Sequence, residues 1–120
     1  MPEFLNIEGI RGDASEAKHK GEIELTSVGF PGGSPGSAIA PSNLKLRDLG
    51  VTKNPDSAST ALHKAALSGQ VFPKMTIDLV RPRGTSRLTL SMASIGSMEL
   101  DQQGNESFNL TFEWLSIKQV

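Results

Sequence analysis

The residues best suited to chemistry in this chain are two histidines, His19 and His63, and two glutamates on one predicted strand, Glu22 and Glu24. The sequence contains no GxSxG, HExxH or nucleophile-elbow pattern that would place either histidine beside a reacting group. The glutamates could imitate an acid–base pair, but nothing nearby in the sequence is placed to shift either pKa. We therefore expect exposed histidines, solvated glutamates, and no catalytic, cofactor-binding or metal site. The chain is predicted not to be an enzyme.

Two other segments could bind phosphate groups. Residues 32–36 (GGSPG) resemble a phosphate loop, but the Lys-Ser/Thr that opens a following helix is missing and Pro35 removes an amide donor. Arg81, Arg83 and Arg87 crowd one predicted hairpin. They leave open a monomeric β-barrel module that binds nucleic acid or another anionic ligand. Pairing with acidic neighbours is the simpler interpretation, since the net charge is -1 and an aromatic content of 5% gives few stacking platforms.

Length and composition narrow the class of protein. A chain of 120 residues suits one domain, residues 1–120, with a substantial core. The absence of cysteine excludes disulfides and thiolate metal sites, so packing must hold the core together. No apolar run approaches the roughly 20 residues that span a bilayer. The start Met-Pro-Glu-Phe lacks the basic and apolar regions of a Sec-type signal, which predicts a cytoplasmic protein.

Alternating apolar and polar residues predict a mainly β protein. Met75, Ile77 and Leu79 share one face of a strand, and residues 81–86 predict a turn into an antiparallel neighbour. In the later strands we expect two sets of residues to face the core. Leu88, Leu90 and Met92 form the first set, and Phe108, Leu110, Phe112 and Trp114 form the second. After Trp114 the apolar positions switch to Leu115 and Ile117. About seven strands at this spacing predict a small antiparallel β-barrel or two-sheet sandwich.

A single short helix is predicted at about residues 57–68. Asp56 or Ser57 can cap its first amides, and Gly69 suits a left-handed C-cap. A helix this short is unstable alone in water, so it must dock on the sheet. Its small-residue face allows close approach, and we assign the helix–sheet contact to Leu62, Ala65 and Ala66.

The helix segment also carries a family resemblance. Ordered blocks of the sequence resemble Hcp, the haemolysin-coregulated tube protein of type VI secretion. The connection at residues 101–105 looks shorter than its family counterpart, and residues 27–30 replace an aromatic-rich strand end, which indicates a compact or divergent member. The matching blocks are residues 4–12, residues 19–25, residues 45–49, Thr52, Lys53, Asp56, Ser59, Leu62, Ala65, Gly69, Phe72 and residues 106–112.

The resemblance implies a structural, secreted subunit without a cofactor. Family members form hexameric rings with a central channel, and the rings stack into a tube that a contractile sheath expels. The implied partners are other copies of the chain, other type VI secretion components and small effectors held in the channel, with no membrane insertion. The implied route is export from the cytoplasm by type VI secretion, independent of a signal peptide.

Candidate assembly residues follow from this resemblance. The Gly- and Pro-rich residues 30–43, which include Gly32, Gly33 and Ser34, look like the family's extended loop that reaches a neighbouring ring. Leu67 lies on the helix face opposite the small residues, where it either contacts another subunit or packs on Val71 at the helix end. Thr89 and Ser91, opposite the core residues of their strand, are the predicted channel lining.

Overall fold

The computed structural model describes residues 3–29 and 48–120. Within these residues the chain forms a mainly β structure with a single short α-helix, which confirms the predicted fold class. In chain order the elements are β1 (Glu3–Ile7), a 3₁₀ turn (Ala17–His19), β2 (Ile23–Leu25), β3 (Ser27–Gly29), β4 (Asp48–Lys53), α1 (Ser59–Ser68), β5 (Val71–Arg81), β6 (Gly84–Leu100), β7 (Glu106–Thr111) and β8 (Trp114–Gln119).

The strands form one curved antiparallel sheet. Their order is β2-β1-β5-β6-β7-β4-β3, and β8 pairs with β6. The two end strands, β2 and β3, are consecutive in the chain and only Thr26 separates them. The Thr26 amide donates to the carbonyl of Thr52 on β4 at 2.7 Å. The sheet therefore curls towards a barrel, although among the described residues its ladder of hydrogen bonds does not close.

The core fills the concave side of this sheet. Met75 and Ile77 are fully buried and Leu79 is nearly so, as the alternation on β5 predicted. The same apolar cluster includes residues from β1, β2, β4, β6, β7 and the helix α1. Strand parity was enough to identify these core positions on β5, because one face of that strand is covered.

The helix α1 docks on the core through its small-residue face. Leu62 and Ala65 are buried, and Ala66 is half-buried against the same apolar cluster. At its C-terminus, Gly69 has φ 70° and donates its amide to the carbonyl of Ala65, as expected of a left-handed cap. A larger side chain on this face would therefore be forced against the sheet.

The start of α1 differs in detail from the predicted cap. Asp56 Oδ1 accepts a hydrogen bond from the Ala58 amide at 2.9 Å, and Ser59 Oγ accepts one from the Asp56 amide at 3.0 Å. These two bonds resemble a capping box placed just before the helix. Ser57 does not cap the helix with its side chain, and its amide donates to Asp13 Oδ2 at 2.9 Å instead.

The alternation of buried and exposed residues shifts near Met92 on β6. Met92 has a left-handed φ of 52° and is 47% exposed, whereas Leu90 and Ala93 on either side are buried. Trp114, which pairs with Ser91, is 73% exposed. The prediction that Met92 and Trp114 face the core was wrong. The left-handed Met92 shifts the alternation on β6 by one position, and β7 ends at Thr111, so that Trp114 begins a new strand, β8.

Candidate functional site

The polar face of the sheet carries Thr89 and Ser91, the predicted channel-lining residues. They alternate on β6 with Leu88 and Leu90, which are fully buried, so both hydroxyl side chains lie opposite the core and are partly exposed. This is the orientation that strand parity predicted. Their role in lining a channel stays a prediction.

This polar face extends across three neighbouring strands. Thr89 lies opposite Thr76 on β5 and opposite Ser116 on β8, so three short hydroxyl side chains stand side by side. The next level holds Ser91 between Lys74 and Trp114. The result is a band of short polar side chains that ends at an exposed aromatic ring.

A groove of about 640 Å³ borders the polar face. Residues from β1, β5 and β6 line it, together with Glu22 just before β2. Its polar and charged lining includes Asn6, Glu22, Lys74, Thr76 and Arg87. Within residues 3–29 and 48–120, no group of three or more histidine or acidic side chains is arranged to hold a metal ion.

A cluster of charged side chains lies beside this groove, centred on His19. The cluster comprises His19, Glu16, Asp78 and Arg87, and we call it the His19 cluster. His19 Nε2 lies 2.9 Å from Asp78 Oδ2, and His19 Nδ1 is hydrogen-bonded to Glu16. Arg87 binds the Asp78 carboxylate in bidentate geometry, from Nε to Oδ1 at 2.7 Å and from Nη2 to Oδ2 at 3.0 Å. The imidazole stacks on Phe4 with its centroid 4.2 Å away.

The expectation of an exposed His19 was therefore wrong, since only 6% of the residue is accessible. Burial opposes the charged imidazole, but the hydrogen bonds to Glu16 and Asp78, with the charges of Glu22 and Glu16, outweigh it and raise the pKa of His19. The bond from Arg87 is the main reason that the pKa of Asp78 lies below its ordinary value. Together these shifts favour an ionised cluster.

Glu22 also differs from the solvated residue that the sequence predicted. It is half-buried, accepts a hydrogen bond from Asn6 Nδ2 at 3.1 Å, and has a pKa raised mainly by burial. Glu24 is exposed, as expected. Glu22 and Glu24 therefore occupy different environments and do not act as a pair.

A second charged cluster is largely buried next to the start of α1. It comprises Lys53, Asp56, Ser59 and Glu106, and we call it the Lys53 cluster. Lys53 has no accessible surface, and its Nζ lies 2.7 Å from Glu106 Oε1 and 2.9 Å from Asp56 Oδ1. Ser59 Oγ donates to Glu106 Oε1 at 2.9 Å. Burial raises the pKa of Glu106, but the bonds from Lys53 and Ser59 outweigh it and lower that pKa overall.

His63 stands at the edge of the Lys53 cluster. Its Nε2 lies 3.8 Å from Glu106 Oε2, and 43% of its side chain is exposed. The prediction that His63 lies on the solvent side of α1 is therefore right only in part. The geometry suits a weak electrostatic contact to a structural carboxylate and places no nucleophile beside the ring.

The basic hairpin is largely neutralised within the chain. Arg87 pairs with Asp78, and Arg81 Nη1 lies 3.2 Å from Glu3 Oε2 on β1. The connection is shorter than predicted, because Arg81 already pairs with Gly84 and only residues 82–83 form the loop. Arg83 lies exposed at its tip. Two of the three arginines are thus engaged with carboxylates.

The candidate contact residues differ in how much the structure shows of them. Leu67 is 89% exposed and Val71 is 51% exposed, so Leu67 is not buried by packing on Val71. Gly32, Gly33 and Ser34 lie outside the described residues, and their assignment stays a prediction. No helix within residues 3–29 and 48–120 is long and apolar enough to cross a membrane.

Comparison with known proteins decides the family. The family model described as "Type VI secretion system effector, Hcp" matches residues 4–118, which is nearly the whole chain. The chain belongs to the Hcp family. It is therefore a type VI secretion tube protein, which is a structural role and not an enzymatic one. A search among curated proteins gives no significant match.

Solved Hcp structures agree with this assignment. Hcp2 from Salmonella typhimurium is 26% identical with a TM-score of 0.79, and the alignment covers 98% of this chain and 85% of that one. Hcp1 from Salmonella typhimurium is 25% identical with a TM-score of 0.77, over 99% and 86% of the two chains. Hcp3 from Pseudomonas aeruginosa is 16% identical with a TM-score of 0.74, over 98% and 90%, and supports the fold alone.

Several residues that carried the Hcp resemblance belong to the Lys53 cluster. Sequence reasoning noted Lys53, Asp56 and Ser59 but did not predict that they surround a buried charge. Strand parity offered a signal, because Lys53 follows Leu49 and Val51 on the core-facing side of β4. The partner Glu106 lies 53 residues away in sequence. Only the fold brings the two together.

Proposed function

We propose that this Hcp chain assembles with copies of itself as a hexameric ring, that the rings stack into a tube, and that the channel holds small effectors. The observation that carries the proposal is the polar face, where Thr76, Thr89 and Ser116 stand side by side on three strands. A transport channel needs such a surface, since a large apolar patch would bind cargo too tightly. Family membership supports the tube role.

Exposed apolar side chains support the assembly of several copies. A ring requires two different contact surfaces on each subunit, because every copy meets one neighbour with each of them. Large apolar side chains on a soluble subunit are candidates for such surfaces. Within residues 3–29 and 48–120, those at least 47% exposed are Leu67, Val71, Met92, Leu100, Trp114, Ile117 and Val120.

The contact assigned to Leu67 can be tested by charge substitution. We expect Leu67→Lys to reduce the assembled fraction, because a buried lysine without a partner would disrupt the interface. Gln102→Lys is the control, since Gln102 is exposed in the turn between β6 and β7, outside α1. Sedimentation velocity gives the fraction of each species. Equal assembly of both variants would show that Leu67 is not at an interface.

The channel assignment can be tested with a bulky side chain at Ser91. We expect Ser91→Trp to leave the assembled mass unchanged and to reduce the amount of small effector that co-purifies. Gln102→Trp, in the exposed turn between β6 and β7, is the control. Dissociation of the assembly would identify the polar face as an interface. Unchanged effector retention would identify it as outer surface.

The nucleic-acid-binding alternative receives less support. Arg81 and Arg87 bind Glu3 and Asp78, so using them for phosphate contacts would leave these two acidic groups without their cations. The proposed partners are accordingly other copies of the chain, other type VI secretion components and small effectors. In this proposal the subunit resides in the cytoplasm until the tube is expelled.

A further inference from the structure

Residues 12–22 form a loop that is hydrogen-bonded to itself, and we call it the clasp loop. The Gly12 amide donates to the carbonyl of Gly21 at 2.9 Å, and the Ala14 amide donates to that of Glu22 at 3.0 Å. A Cβ at position 12 would lie 2.5 Å from the Glu22 carbonyl oxygen, so the approach of the two ends requires glycine. Such a closed loop can separate from the sheet while β1 and β2 stay paired.

Hydrogen bonds of His19, Asp13 and Glu22 fasten the clasp loop to the rest of the molecule, and Ala14 within the loop is buried. The His19 ring is buried, stacked on Phe4 of β1 and hydrogen-bonded to Asp78 of β5. At the other end, Asp13 accepts a hydrogen bond from the Ser57 amide at 2.9 Å. Of the ionisable side chains in these contacts, His19 is the one that ordinarily titrates near neutral pH.

The geometry around His19 requires a particular protonation state. Both ring nitrogens face carboxylates, Nδ1 that of Glu16 and Nε2 that of Asp78. An ionised carboxylate only accepts hydrogen bonds, so both nitrogens must carry a hydrogen, which is the imidazolium form. A neutral ring can donate only one of the two bonds. Its remaining lone pair would then face a carboxylate oxygen, which is repulsive.

The other charged side chains near His19 favour its protonated form, are paired with another group, or are exposed. Glu22 adds a further negative charge that favours the imidazolium. Arg87, on β6, is engaged with Asp78, and Lys18 and Lys20, the neighbours of His19 in sequence, are exposed. Histidine is the member of this set that ordinarily titrates near neutral pH.

We propose that the clasp loop is a pH-sensitive clasp, which stays docked on the sheet while His19 is protonated and opens when His19 loses its proton. Opening moves Glu22, the last residue of the loop, away from Asn6 and Arg87 in the groove wall. The clasp therefore controls the shape of one wall of the groove beside the polar face. This regulation does not depend on ring assembly.

Amide hydrogen exchange of the full-length chain tests the clasp. We expect the protection factors of residues 12–22, corrected for intrinsic exchange, to fall by about threefold or more between pH 6 and pH 9, since deprotonation of His19 removes one of the hydrogen bonds that hold the loop. The His19→Gln variant should show low protection at both pH values. The His63→Gln control should keep the wild-type dependence on pH.

A milder variant keeps the test decisive if His19→Gln does not fold. Glu16→Gln removes one acceptor charge from an exposed side chain, so the loop should open at a lower pH than in the wild type. The proposal is overturned if wild-type protection is equal at both pH values. It is also overturned if Glu16→Gln opens at the wild-type pH, or if His63→Gln abolishes the dependence.

Discussion

The Lys53 cluster and the His19 cluster are both ionic, yet they hold different parts of the molecule in different ways. The first brings together three residues near in sequence and Glu106, and its lysine has no accessible surface. The second joins the clasp loop to the sheet through His19 and Asp78, 59 residues apart. One cluster fixes the helix on the core, and the other holds a loop through a group that can lose its charge near neutral pH.

The two clusters should respond to opposite ends of the pH scale. Glu106 has a lowered pKa, so its contribution to stability is present above the ordinary glutamate pKa and is lost as the pH falls through the lowered value. His19 has a raised pKa, so its contribution is present below the ordinary histidine pKa and is lost as the pH rises through the raised value. The contribution of Glu106 to stability is therefore kept at neutral and alkaline pH, whereas that of His19 is lost as the pH rises.

The largest effect is expected at Lys53. Replacing Lys53 with Met leaves Glu106 and Asp56 without their cation, and breaking a buried pair in this way costs about 3–5 kcal/mol of unfolding free energy. Urea unfolding measures this loss of unfolding free energy. Lys64→Met, on the exposed face of α1, is the control and should change little.

The double variant Lys53→Met, Glu106→Leu sharpens this prediction. It should recover much of the loss, since the uncompensated carboxylate is removed together with its partner. A single variant as stable as the parent would mean that the Lys53 cluster does not hold α1 as described.

A smaller effect is expected at the helix–sheet contact. Ala65→Leu inserts three carbon atoms into a buried position and should destabilise the chain by about 1–3 kcal/mol. Lys64→Leu adds an apolar side chain to the exposed face of the same helix as a control. Thermal melting compares the two. If Ala65→Leu has the same melting temperature as the parent, α1 is not closely packed against the sheet at residue 65.

The pH dependence of stability distinguishes the His19 cluster. The unfolding free energy of the wild type should fall from pH 6 to pH 9 as His19 loses its proton, and the fall should be smaller in His19→Gln. Chemical denaturation at a series of pH values gives both curves. Parallel curves over this range would show that folding does not raise the pKa of His19.

The smallest effect is expected at His63. It is partly exposed and its contact with Glu106 spans 3.8 Å, so His63→Gln should change the unfolding free energy by no more than about 0.5 kcal/mol. The same denaturation experiment measures it. A loss as large as that of Lys53→Met would make His63 an essential member of the Lys53 cluster.

Local patterns in the sequence predicted the strands and the docking face of α1 because each depends on nearby residues. Met75 and Ile77 alternate with polar neighbours, and Gly69 marks a cap that only its own position requires. The left-handed conformation of Met92 has no such signal, because a methionine rarely adopts a positive φ. His19 in a polar loop gave no indication of burial.

The charged partners were unpredictable for a related reason. Asp78 looks like a solvent-facing strand residue, whereas Glu106 shares the parity of Phe108 and Leu110. Neither position identifies its partner until the fold places His19 and Lys53 against them. Parity pointed to Lys53 as a core position, but its partner depends on the pairing of β4 with β7. The polar face was predictable as a face, whereas its role as a channel rests on the Hcp family.

The mass of the purified chain in solution tests the central claim, self-assembly into a ring, most directly. Multi-angle light scattering should give a stable species near six times the 12.8 kDa subunit mass. A species that stays at 12.8 kDa over a wide range of concentrations would contradict the assembly and favour a monomeric binding module.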